Sequence, residues 1–137
     1  MKLKLFVILA SLMMCVGANA KKWPQIKFET TTIDFGKFCM DEPVQKCVFK
    51  FTNTGNSKLV IQYVHPSCGC TVAEYTKDYI APGGTGEIRV TYDGTGKMPA
   101  RFKKTIQVFT NCKDDMARIF IQGEMTDVPV SKKIEKK

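Results

Sequence analysis

The feature that most restricts this chain is a two-residue apolar rhythm, broken again and again by turn chemistry. Cys47, Phe49 and Phe51 alternate with Val48, Lys50 and Thr52, and Leu59, Ile61 and Tyr63 alternate with Val60, Gln62 and Val64. Ile88, Val90 and Tyr92 alternate with Glu87, Arg89 and Thr91, the cleanest case. Ile106 and Val108 fall within residues 102–110, Ile119 and Ile121 within 117–124, and two shorter candidates occupy 26–29 and 32–35. A period of two sends successive side chains to opposite faces of a strand. Asn53-Thr54-Gly55-Asn56-Ser57, Ala81-Pro82-Gly83-Gly84-Thr85-Gly86, Asp93-Gly94-Thr95-Gly96 and Asn111-Cys112-Lys113-Asp114-Asp115 separate the segments. Each is rich in residues that accept positive φ or fix a turn. After residue 20 no helix-length window shows a 3.6-residue period. About seven short strands in roughly a hundred residues predict an all-β fold, an immunoglobulin-like antiparallel β-sandwich, with a small barrel as the rival.

The two ends of the chain read differently. Lys2 and Lys4 precede an apolar run over residues 5–16, and Ala18-Asn19-Ala20 follows. That pattern makes residues 1–20 a signal peptide cleaved before Lys21, since the run is shorter than the roughly 20 apolar residues a membrane span needs. Lipidation of Cys15 is the less favoured route, because Met14 sits where a small residue is wanted. The expected layout is a lead-in over 21–25, a sandwich domain over 26–126 and a Lys-rich disordered tail over 127–137. The expected location is the periplasm, the cell envelope or outside the cell, with no transmembrane segment in the mature chain.

Charge narrows the partners. The chain has 21 Lys and Arg against 13 Asp and Glu, but residues 23–127 hold 13 basic and 12 acidic groups. The excess lies in the ends, not on a basic face interleaved with aromatics, which argues against a nucleic-acid partner. Catalytic sets are also missing. His65 is the lone histidine and there is no Gly-x-Ser-x-Gly element, so a nucleophile–base–acid arrangement lacks its parts. Asp41-Glu42 and Asp114-Asp115 read as solvated turn pairs rather than an acid/base couple. Gly83-Gly84-Thr85-Gly86 has no helix behind it to cradle phosphate, and Asp93-Gly94-Thr95-Gly96 carries too few carboxylates for calcium. No catalytic residue and no cofactor are assigned. Trp23 reads as a packing anchor, with partner or glycan contact as its sharper alternative.

Five cysteines follow the signal segment: Cys39, Cys47, Cys68, Cys70 and Cys112. An odd number leaves at least one unpaired within the chain. Cys39 and Cys47 flank Asp41-Glu42-Pro43 and are a candidate disulfide across adjacent strands; alternatively Cys47, in phase with Phe49 and Phe51, is a small buried apolar residue. Cys68-Gly69-Cys70 is the sharpest signal. In an extended strand both sulfurs would face one side, with Cα atoms about 6–7 Å apart, near the limit of disulfide reach. Gly69 would supply the bend that closes such a ring. Three readings stay open: a structural pair, a thiol-redox couple, and a soft-metal site for copper or zinc completed by His65. No Lys or Arg lies between Gln62 and Thr76, and Glu74 is near, so local sequence offers nothing to stabilise a thiolate. The structural reading is preferred, with both sulfurs mostly buried and unreactive.

An ordered series of motifs carries a resemblance. Asp34-Phe35-Gly36 is followed by Phe49-Lys50-Phe51-Thr52-Asn53-Thr54-Gly55, Leu59-Val60-Ile61, Ser67-Cys68-Gly69-Cys70-Thr71, Ile80-Ala81-Pro82-Gly83, Ile88-Arg89-Val90-Thr91-Tyr92, Phe102-Lys103-Lys104-Thr105-Ile106-Gln107-Val108 and Ile121-Gln122-Gly123. Over roughly residues 26–125 the chain resembles the bacterial exported family known as domain of unknown function 1573, related to Hydin-like and PapD-like immunoglobulin folds. The element Ser67, Cys68, Gly69, Cys70, Thr71 is its specific part; Cys39, Cys47 and Cys112 lie outside it. The resemblance implies a sandwich and export, and no established activity. The expected function is an exported, non-enzymatic module for protein–protein interaction or cell-envelope structure, its partner unknown. The alternative is thiol-redox or metal handling by the Cys-Gly-Cys motif.

Overall fold

The structure, a computed structural model, describes residues 21–128. The expected signal peptide over residues 1–20, with Cys15, and residues 129–137 of the expected tail lie outside the described residues. Eight strands form: β1 (Ile26–Phe28), β2 (Thr32–Cys39), β3 (Val44–Asn53), β4 (Ile61–Pro66), β5 (Thr71–Tyr75), β6 (Thr85–Asp93), β7 (Arg101–Thr110) and β8 (Met116–Thr126). They make two four-stranded sheets, β1-β3-β6-β5 and β2-β8-β7-β4. No helix occurs among the described residues, and the all-β sandwich expected from the two-residue rhythm is what forms.

The core lies between the sheets. Phe49, Phe51, Ile88 and Val90 come from one side, and Ile106, Val108, Ile119 and Ile121 from the other; all are buried. Each belongs to a strand whose alternate residues face water, so the pleat alone sorts them. Burying a Phe or Ile side chain contributes roughly 1.5–3 kcal/mol, which is why these strands are the most legible. At one end of the core Tyr92 stacks on Phe102, with ring centroids 4.1 Å apart, and Phe38 sets its edge against both.

Four details differ from expectation. There are eight strands rather than about seven, because β5 is an edge strand in which only Thr71 is fully buried, so its apolar alternation is weak. The sandwich is not wholly antiparallel: β2 pairs parallel with β8, with a shift between Asp34 and Lys37. Gly36, at φ 68°, sits in that shift, a conformation glycine adopts without Cβ penalty. The phase of residues 59–64 also inverts. Leu59 makes only an isolated bridge with Ile80, and a register irregularity between Ile61 and Tyr63 turns Tyr63 outward, 53% exposed, while Val64 is buried. A bulge inserts one residue and so exchanges the two faces beyond it. Lastly, Trp23 is exposed rather than an anchor, and it is Pro24 that is buried.

Candidate functional site

The chain changes sheets between β4 and β5, and the Cys68-Gly69-Cys70 motif makes the crossing. Ser67 still belongs to the β4–β7 ladder: its N–H donates to the Thr105 carbonyl at 2.9 Å, and its hydroxyl accepts from the Thr105 N–H at 3.2 Å. The Thr71 N–H then donates to the Cys68 carbonyl at 3.1 Å, closing a turn over residues 68–71. On the far side the Asp93 N–H donates to the Cys70 carbonyl at 2.8 Å, which seats the turn on the end of β6.

Cys68 and Cys70 are joined by a disulfide with Cα atoms 5.2 Å apart. The strand-based expectation of a longer separation is corrected by the turn, which folds the two Cα atoms toward each other. The expected burial is corrected as well: both cysteines are half-buried and Gly69 is exposed. Gly69 is not at positive φ, and a Cβ there would meet nothing within 4 Å, so neither conformation nor space demands glycine. The two sulfurs have different surroundings. Cys70 packs against the core with Thr71 Oγ1 3.9 Å away, whereas Cys68 Sγ accepts the Cys70 N–H at 3.0 Å.

The other candidate residues do not join them. The candidate Cys39–Cys47 bridge is not made: Cys39 ends β2 in one sheet, Cys47 lies in β3 of the other, and both are free. The loop between them crosses from sheet to sheet instead of forming a hairpin. Cys47 is half-buried beside the core, and burial pushes its thiol up to about 11, as its alternation with Phe49 and Phe51 anticipates. Cys112 is buried and free. His65 stands exposed on β4, its Nδ1 3.1 Å from the Tyr63 hydroxyl and its ring stacked on Tyr63. Among the described residues no three His, Cys, Asp or Glu side chains converge as a ligand set, so the structure does not assemble the His65, Cys68, Cys70 metal reading.

Around the disulfide lies a ring of loops held by backbone hydrogen bonds. Gly94 N–H donates to the Pro43 carbonyl at 3.0 Å, Met40 N–H to Thr126 at 2.8 Å, and Met125 N–H to Ala100 at 3.0 Å. This end exposes large apolar side chains: Met98 is 83% exposed, Met40 45%, and Val44, the first residue of β3, 44%. Among the carboxylates of this end, Asp93 is held below its ordinary value by the Thr95 hydroxyl and N–H. Burial, with the Asp93 charge adding to it, pushes the neighbouring Tyr92 hydroxyl up. Sequence reasoning did not find the methionines, because single Met residues in turn segments carry no periodic signal. A groove of about 410 Å³ near Asp34 and Arg101 is a weaker candidate: Arg101 bridges Glu124 and Asp34 accepts from Gln122, so its polar groups satisfy one another.

A model of the family described as Protein of unknown function (DUF1573) matches residues 26–125. No curated protein matches the chain in sequence. Among solved structures, a protein of unknown function from Porphyromonas gingivalis W83 is 20% identical over 79% of this chain, with a TM-score of 0.64. The chain spans about half the length of that protein, 50% of it. A PapD-like domain of human CEP192 is 9% identical, covering 77% of this chain and 88% of that one at TM-score 0.59. The Pseudomonas aeruginosa CupB2 chaperone is 10% identical, covering 81% and 61% at TM-score 0.54. At these identities the likeness is one of fold.

Proposed function

The chain belongs to the family Protein of unknown function (DUF1573), and we propose that it works as an exported, non-enzymatic sandwich module that binds a protein partner through the loops at its Cys68–Cys70 end. The observation that carries this is the exposure of Met98, Met40 and Val44 together on that end. Water gains nothing from them, and unbranched methionine side chains adapt to irregular partner surfaces. Export is supported by the signal-like pattern of residues 1–20 and by the disulfide, a bond that persists in oxidising compartments.

A second reading is favoured by one feature. On the outer face of the β4-β7-β8 region Tyr63 stacks on Phe109, centroids 5.8 Å apart, and on His65 at 5.9 Å. Exposed aromatic rows of this kind are common in protein interfaces. Photo-crosslinking in the source cell separates the two surfaces, using a benzophenone amino acid at Met98, Tyr63 or Val48. The expected result is a discrete adduct from Met98 and none from Val48. An adduct from Tyr63 with none from Met98 moves the contact to the aromatic face. Absence of any adduct from all three positions overturns the reading.

A further inference from the structure

We propose that the Cys68–Cys70 disulfide is an exchangeable redox pair, in which Cys68 forms the mixed disulfide with a polypeptide and Cys70 is the sulfur that leaves as it forms and, in the reverse direction, displaces the polypeptide. The inference goes beyond the docking reading and does not rest on it, because exchange with a small thiol is enough to establish it.

The bond is poorly placed to be a staple. Its ring contains three residues, and the stabilisation a disulfide gives by restricting the unfolded chain is smallest for short rings. The turn it closes is already held by the hydrogen bonds from Thr71 to Cys68, Ser67 to Thr105 and Asp93 to Cys70. All three survive on paper when the sulfurs part. Meanwhile the cysteines that stand in different sheets, Cys39 and Cys47, are free. Half-burial of both cysteines beside an exposed Gly69 gives an incoming thiol a path that a core disulfide would deny.

The two sulfurs are also set up for different roles. Negative charge on Cys68 Sγ would meet the Cys70 N–H, already 3.0 Å away. A donated N–H favours a thiolate. Cys70, packed against the core, is fixed where it can return to Cys68.

The step balances without another reagent. A polypeptide thiolate attacks Cys68 Sγ; the Cys68–Cys70 bond breaks, and its electron pair leaves on Cys70 Sγ, which takes a proton from water. A second thiolate of the same polypeptide then attacks its own sulfur in the mixed disulfide. Cys68 Sγ departs with the electron pair and is protonated in turn. The polypeptide dithiol loses two electrons and two protons to become a disulfide, and Cys68 and Cys70 gain them as two thiols. The reverse sequence, against a polypeptide disulfide, restores the oxidised pair.

The test uses native full-length mature protein in reduced and oxidised glutathione buffers, with each cysteine's state read by alkylation and peptide mass mapping. The expected result is reversible reduction of Cys68–Cys70 with the β-sheet circular dichroism retained, and glutathione found on Cys68 in the trapped intermediate. In single variants, Cys70→Ser (leaving the Cys68 thiol) should react with oxidised glutathione about threefold faster than Cys68→Ser, because the Cys70 N–H reaches only the Cys68 sulfur. A bond that resists a large excess of reduced glutathione until the protein unfolds overturns the proposal. Glutathione found on Cys70 instead, in the wild-type protein, overturns the assigned roles even if a variant fails to fold.

Discussion

At one end of the sandwich two asparagines do the tying; at the other a three-residue disulfide ring sits among exposed methionines. Asn53 is fully buried, and its side chain spans three loops. Its Nδ2 donates to the Ser57 carbonyl at 2.7 Å and the Ile80 carbonyl at 2.9 Å, and its Oδ1 accepts the N–H groups of Gln25 at 3.2 Å and Gly55 at 3.0 Å. Asn111 does the same for the next loop pair, donating to Lys58 and accepting from Val60, each at 2.9 Å. A primary amide offers two donors and two acceptor sites in fixed directions, so one side chain can close several loops. The Cys68 end has no equivalent amide in its loops. It is joined by backbone bonds between its loops, and it shows apolar side chains beside two half-buried cysteines. The difference teaches that rigidity and stickiness have been put at opposite ends, and that the sticky end carries the proposed chemistry.

Asn53→Ala should have the largest effect. It removes four hydrogen bonds, one buried and three part-buried, while the Ile80 carbonyl keeps the Leu59 N–H, and the expected loss is about 3 kcal/mol in urea unfolding. A loss below about 1 kcal/mol would mean that the asparagine end is not the locked one. Asn111→Ala, less buried, should cost about 2 kcal/mol by the same measurement. Opening the Cys68–Cys70 ring with the double Ser variant should cost about 1.5 kcal/mol, from the short ring it closes. If it costs more than Asn53→Ala, the bond is a staple after all and the contrast between the ends collapses.

Two weaker effects sharpen the picture. The Cys47 thiol rises on folding from about 9 to about 11. Between those values the native chain holds a proton that the unfolded chain has lost, so stability should fall as pH rises from about 9 to about 11. Thermal unfolding across that range should show the decline in wild type and a shallower one in Cys47→Ala. Smallest of all, Gly69→Ala should change stability by less than about 0.5 kcal/mol, since its φ is ordinary and the space is open. A larger loss by differential scanning calorimetry would show a backbone constraint within the ring.

The residues themselves determined the layer architecture. β3, β6, β7 and β8 alternate because each has one face on the core and one in water, and that pattern is written along a single strand. The turn residues between them were equally local, as was the singling out of Cys68-Gly69-Cys70. What lay beyond reach depends on which strand lies beside which. The parallel β2–β8 pair, the assignment of Cys39 and Cys47 to opposite sheets, and the seating of the Cys70 carbonyl on the Asp93 N–H all depend on which strands lie side by side. No local period encodes such a register. Tyr63 marks the boundary: its alternation with Ile61 read as inward, and a one-residue irregularity turned it outward. The pleat is a property of neighbours in sequence, whereas pairing, bulges and the half-burial of the two cysteines are settled only when two sheets close on one core.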